Sequence, residues 1–296
     1  MVMNFMERAG IMVLGVLVVG GFQPARSATI RDDQPDSEYL DLGADPAYSA
    51  VGSLLVNGAI NGSGTLIAPD WVLTAAHLLD AATTGTFTLN GVTYTSDAFY
   101  KDPGWNGSTY NGSDIGLVHL NTSVLNTPPA FLYTGSSELN QTGTYVGFGF
   151  TGTGLTGWTT LDGKKRAFQN MIDGNFGNPS LVYGSDFDNP HNPADSGFGS
   201  AIPLLLEGCV APGDSGGGVF VTIDSQTYLA GVISFNANID GTQNSDYGDA
   251  SGFGRVSAFL PWIYNTIGAV PEPSTYAILL TSGLITLGYR RWRGKA

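Results

Sequence analysis

One stretch constrains this chain more than any other: Pro212-Gly213-Asp214-Ser215-Gly216-Gly217-Gly218. A serine lies among glycines, whose missing side chains let the backbone turn tightly and bring N–H groups toward one point. Acyl transfer asks for that arrangement, an exposed hydroxyl nucleophile with N–H donors about 3 Å from the developing oxyanion. A serine hydroxyl is weak alone and needs a base. The chain has three histidines, His77, His119 and His191, and all precede Ser215.

The order of the partners selects among architectures. Gly213-Asp214-Ser215-Gly216-Gly217 also fits the G-x-S-x-G elbow of α/β-hydrolases, but those draw their histidine from after the serine, so that reading fails. His77 closes Trp71-Val72-Leu73-Thr74-Ala75-Ala76-His77, an apolar strand running into small residues, and is the natural base. Asp114 opens Asp114-Ile115-Gly116-Leu117-Val118-His119-Leu120 and offers the orienting carboxylate. His119 alternates with Ile115 and Leu117 on that strand and reads as a surface or structural histidine.

With these motifs in the order His77, Asp114, Ser215, the chain resembles the trypsin-like serine proteases of the chymotrypsin fold, over roughly residues 46–267. The resemblance implies an all-β chain of two six-stranded antiparallel β-barrels, about 46–135 and 140–256, with a C-terminal helix at 256–267. It implies Ser215 as nucleophile, His77 as general base and then acid, and Asp114 as the group that fixes the imidazole tautomer. The N–H groups of Gly213 and Ser215 would form the oxyanion hole. Ser234, in Gly231-Val232-Ile233-Ser234-Phe235, matches the serine that supports the triad carboxylate; an ordinary strand serine is the other reading. The implied cofactor set is empty, and the implied partner is a protein or peptide substrate. A catalytically inactive surface adhesion or matrix protein on the same fold is the alternative.

The resemblance also has departures. In the family, the carboxylate before the nucleophile pairs with a new N-terminal Ile or Val. Asp214 is present, but the nearest candidate terminus is Ile30-Arg31-Asp32-Asp33, unless removal of a leader supplies one near Thr29 or Ile30. By motif alignment Cys209 occupies the base of the specificity pocket, with Asn236 and Ser251 in place of glycines on its walls. A narrow, nearly neutral pocket suits small or medium apolar side chains, with Asp246 and Asp249 as possible intruders.

The two ends point to export. Residues 1–28 read as a signal peptide: Ala9 to Phe22 is an uncharged apolar run, and Ala25-Arg26-Ser27 gives a small-x-small cleavage site. Val270-Pro271-Glu272-Pro273, an apolar segment at 276–289 and the basic run Arg290 to Lys295 resemble the PEP-CTERM sorting signal of Gram-negative bacteria, residues 270–296. The basic end favours the cytoplasmic side, leaving the catalytic domain outside. The implied partners are a signal peptidase and an exosortase-like enzyme, with transient membrane anchoring and delivery to the cell surface or medium. The net charge is −13, and the ends hold Arg8, Arg26, Arg290, Arg291, Arg293 and Lys295 against only Glu7 and Glu272, so the part between is more acidic still. Such a surface repels phosphate backbones and excludes nucleic acid as a partner.

Between the ends, only 12% of residues are charged, which suits short strands joined by polar turns. Strands are expected at Val51 to Val56, Gly64 to Ile67, Trp71 to Ala75, Phe87 to Leu89, Val92 to Tyr94, Thr144 to Phe150, Gly218 to Ile223 and Tyr228 to Phe235. Asn90-Gly91 is a hairpin signal. Residues 29–45 read as acidic and irregular, and 159–208 as long and loop-rich. Cys209 is the single cysteine, so an intrachain disulfide is impossible. Asp186, Asp188 and Asn189 are hard oxygen donors that would make a calcium clamp a substitute.

Overall fold

Residues 28–239 and 241–268 are described by the structure, a computed structural model. Residues 1–27 of the expected signal peptide, the sorting signal and its apolar segment at 276–289 lie outside them. Alternation of apolar and polar residues makes half-buried strands, and the first half of the chain follows that rule. After β1 (Ala28–Ile30) and α1 (Asp36–Gly43) come β2 (Val51–Val56), β3 (Ile60–Ala68), β4 (Trp71–Thr74), β5 (Gly85–Leu89), β6 (Val92–Lys101) and β7 (Gly116–Leu120). The last six close into a barrel in the order β2-β3-β4-β7-β6-β5. Val51, Leu54, Val56, Leu66, Val72, Leu73, Phe87, Leu117 and Val118 fill it. The β5–β6 hairpin turns at Asn90 (φ 48°) and Gly91 (φ 81°), the positive pair that a two-residue turn of this hand requires.

The second half comprises β8 (Thr142–Gly147), β9 (Phe150–Thr153), β10 (Gly157–Leu161), β11 (Arg166–Met171), β12 (Gly174–Asn175), β13 (Val182–Asp186), β14 (Gly208–Cys209), β15 (Gly218–Ile223), β16 (Gln226–Ala237), β17 (Ala250–Arg255) and α2 (Val256–Ile267). Its main sheet has seven strands in the order β11-β8-β15-β16-β17-β13-β12 and curls into a half-barrel beside the closed first barrel. The seventh strand is β12, a two-residue pairing at the edge of β13; elsewhere, the chain leaves β8 at Gly147. It then builds a separate four-stranded sheet, β10-β9-β1-β14. The stretch expected to be loop-rich therefore contributes strands, and β17 was not foreseen at all.

Residues 29–45 are ordered, against the expectation of an irregular leader. Thr29 and Ile30 pair with Cys209 and Gly208 of β14, and Ala28 runs parallel to Thr151 of β9. In α1 the fully buried Tyr39 donates to the Glu207 carbonyl (3.0 Å) and accepts from the Arg31 N–H (3.2 Å). Asp36, in its first turn, where the helix dipole favours an anion, accepts from Arg166 Nε at 2.7 Å. Arg166 is itself buried and also reaches Asp162, so one cation of the Lys164-Lys165-Arg166 run is an internal clamp. The helix α2 buries Val256, Phe259 and Ile263, as its periodicity predicts. It runs through Pro261, which lacks the N–H that the Ser257 carbonyl would otherwise accept.

Candidate active site

β4 lies antiparallel to β7 with Thr74 opposite Gly116, which brings the end of one strand beside the start of the other. Just past β4, a 3-10 turn over Ala76–Leu79 carries His77; just before β7 stands Asp114. Asp114 Oδ1 accepts the backbone N–H of His77 (2.8 Å) and Oδ2 faces His77 Nδ1 (2.7 Å). Ser234 Oγ, from β16 in the second half, also donates to Oδ2. The carboxylate side chain is 1% exposed and the imidazole 28%, so the anion is sealed while the ring reaches the cleft. An ionised carboxylate only accepts, so Nδ1 carries the proton and Nε2 is left as the accepting nitrogen.

The nucleophile loop is fixed from both halves. Ser63 of β3 donates its N–H to the Ser215 carbonyl (2.8 Å) and its hydroxyl to the Gly213 carbonyl (2.9 Å). Gly216 has φ +82°, and a Cβ there would run into Thr74 Oγ1 and the Ser63 carbonyl. Only glycine lets the loop dock against the end of β4, which sets Ser215 beside the turn that carries His77. The Pro212 carbonyl accepts from Phe150 N–H (2.6 Å) and the Asp214 carbonyl from Gly217 N–H (2.8 Å). In a trans peptide the N–H points opposite its carbonyl, so these two bonds turn the N–H groups of Gly213 and Ser215 away, without acceptors among the described residues. Ser215 Oγ makes no hydrogen bond within the described residues. Catalytic hydrogen bonds of uncomplexed sites commonly tighten only with substrate in place.

Asp214 is buried, accepting from Gly149 N–H (2.8 Å) and Ala211 N–H (2.9 Å). Loss of solvent pushes its carboxyl up to about 7, against the pull of those two donors. A cavity of about 340 Å³ opens beside Ser215, with Val210, Ala211, Pro212, Ile233, Phe235, Asn236, Trp158 and Gln243 on its walls. Cys209 is not on its surface: the thiol is fully buried behind Asn236 and Ser251, with burial pushing it up to about 12. Ser251 Oγ donates to the sulfur (3.4 Å) and takes the Val210 N–H (3.0 Å), bracing the wall from behind. Asp249 is buried and accepts from Ser245 and Ile239 N–H groups, and Asp246 from Asn244; neither lines the cavity.

The calcium candidates turn to separate partners. Asp186 Oδ2 accepts from Gly197, Phe198 and Ser196, and Asn189 donates to Asp195. Asp188 Oδ1 is buried with no partner. No three carboxylate, imidazole or thiol groups among the described residues gather as metal ligands. His119 lies against Trp71 and bonds Asp97 (2.6 Å), on the outside of the first barrel. Sequence reasoning missed Ser63, Trp158 and Gln243; β3 brings the first to the serine loop, β10 the second, and the loop between β16 and β17, which accepts the Trp158 N–H at the Asn244 carbonyl, the third.

A sequence profile of the trypsin-like peptidase domain matches residues 62–232, a span that contains His77, Asp114 and Ser215. The chain belongs to the trypsin-like peptidase family. It is 28% identical over 227 residues to the chymotrypsin-like elastase family member 1 of Bos taurus, covering 70% of this chain and 78% of that one. A solved collagenase structure superposes with a TM-score of 0.56 at 21% identity, over 74% of this chain and 94% of the other, which establishes the chymotrypsin-like fold.

Proposed function

We propose that this chain is an exported serine endopeptidase that works through an acyl-enzyme. Ser215 Oγ attacks the scissile carbonyl while His77 Nε2 takes its proton; Asp114 stabilises the imidazolium that results. The oxyanion forms against the N–H groups of Gly213 and Ser215, and His77 returns the proton to the leaving amine. Water then repeats the sequence on the ester. The observation that carries this reading is the chain His77–Asp114–Ser234, drawn from both halves, beside a serine loop whose two outward N–H groups have no acceptor among the described residues. Ser215→Ala and His77→Ala test it: each should lower kcat by on the order of 10⁴- to 10⁶-fold with the fold retained, whereas His119→Ala leaves it unchanged. Wild-type-like hydrolysis in Ser215→Ala would favour the inactive surface-protein alternative, any activity then being a contaminant's.

The proposal includes processing at both ends. A signal peptidase removes residues 1–27, and an exosortase-like enzyme cuts near Pro271-Glu272-Pro273 after transient anchoring through 276–289. The mature chain then begins at Ala28 or Thr29, in β1. There Ala28 lies opposite Thr151, two residues along from the Gly149 that donates to Asp214. A free amine in that region would add a charged partner for the buried Asp214 carboxyl, which accepts from two backbone N–H groups.

A further inference from the structure

The cavity beside Ser215 is walled mainly by apolar groups, Val210, Ile233, Phe235 and Trp158 among them, and no charged side chain lines it. Asn236 and Gln243 are its two amide side chains, and Asn236 is the one with a fixed edge. Its Nδ2 faces the Cys209 sulfur at 3.7 Å and Asp249 Oδ2 at 3.5 Å. A carboxylate can only accept, so the amide must present its NH2 edge to Asp249, and this fixes which end of the amide looks the other way. Oδ1 is thereby turned away from Asp249 on a residue that lines the cavity, and it accepts no hydrogen bond from the described residues. Asp249 is held in that role by the N–H groups of Ser245 (2.8 Å) and Ile239 (3.2 Å), so the amide is anchored from behind.

We propose that Asn236 is the specificity-determining residue of this peptidase, its amide oxygen accepting a hydrogen bond from an uncharged, donor-bearing side chain, glutamine above all, on the residue preceding the scissile bond. The inference rests on the endopeptidase reading and deepens it. Glutamine supplies an apolar stem for the walls and an NH2 for the acceptor. Methionine has nearly the same shape but would bury Oδ1 unpaired, and sites built to bond a polar group reject analogues lacking it. Glutamate would set a carboxylate against an acceptor. Lysine would bring a charge into a slot that holds no carboxylate, only neutral amide oxygens, and an uncompensated buried charge is costlier than an unpaired amide. The apolar preference expected from the alignment is thus narrowed: the walls are apolar, while the one fixed polar atom asks for a donor.

The test compares kcat/KM for four peptides, identical except for Gln, Met, Glu or Lys before the scissile bond, in the mature protein and in Asn236→Leu and Asn236→Asp. The amount of competent site in each preparation is titrated with a fluorophosphonate. Glutamine should exceed methionine by about tenfold or more in the wild type. Asn236→Leu should reverse that ratio, and Asn236→Asp should move the preference to lysine. Labelled protein that prefers lysine or methionine, or an Asn236→Leu variant that keeps the glutamine preference, overturns the inference and leaves the peptidase reading standing. Wild-type protein that takes no label removes both. Because each variant is judged by a ratio of substrates on its own labelled fraction, a partly folded preparation does not blur the result.

Discussion

Asp188→Asn should make the protein more stable at pH 8, and the gain should vanish in acid. Asp188 is buried, its Oδ1 has no partner, and its backbone N–H donates to Glu207 Oε1 at 2.7 Å. Burial first, then the neighbouring charge of Asp186, pushes its carboxyl up to about 7, and burial pushes Glu207 up to about 8. An acid whose folded value lies above its unfolded one keeps a proton that the unfolded chain has released. The stability it confers is full below about pH 4 and is lost as pH rises to the folded value, at up to about 1.4 kcal/mol per pH unit for each group. The carboxyls held low by partners, Asp33 by Arg31 and Asp80 by Lys101 and Trp105, titrate below this window and do not counter it. Asparagine at 188 is neutral throughout and places an NH2 or oxygen where Oδ1 now stands alone, so it should gain about 1–3 kcal/mol at pH 8 and little at pH 4. Urea unfolding at pH 4, 6 and 8 reads the difference directly. A variant less stable than wild type at pH 8, or a gain independent of pH, would refute the reasoning.

Other outcomes follow from the same geometry. Ser234→Ala removes one donor to the sealed Asp114 and should lower kcat/KM by about ten- to a hundredfold, the worth of a hydrogen bond to a charged acceptor; steady-state kinetics check it. Calcium added to the chelator-treated protein should leave the unfolding midpoint unchanged, because Asp186 and Asn189 are already bonded elsewhere; a raised midpoint would mean that the loop rearranges round the ion. Intact-mass analysis of protein recovered from the surface or medium should find a chain from Ala28 or Thr29 to between Val270 and Pro273. Recovery of released protein that still carries Ala296 would contradict the processing proposal alone.

The sequence made the first barrel and the site legible where a local rule governs. The alternation in Val51–Val56, the Asn90-Gly91 turn, the stripe of α2 and the order His77, Asp114, Ser215 need no knowledge of distant contacts. It was mute where the outcome depends on what docks from afar. Ala28–Ile30 is a strand only because β9 and β14 flank it, and Arg166 is buried only because Asp36 and Asp162 enclose it. The pocket shows the same limit. Alignment put Cys209 at its base, but the Asn236 side chain lies across the thiol, and which atom of that amide faces the cavity depends on Asp249, thirteen residues away.

The most direct measurement of the central claim is covalent labelling of the mature protein with a fluorophosphonate, followed by mass spectrometry of the peptide that contains Ser215. Under the proposed mechanism the protein should take up one phosphonate per chain, on Ser215, and His77→Ala should abolish it. A folded protein that stays unlabelled, or one labelled at another serine, would contradict the account.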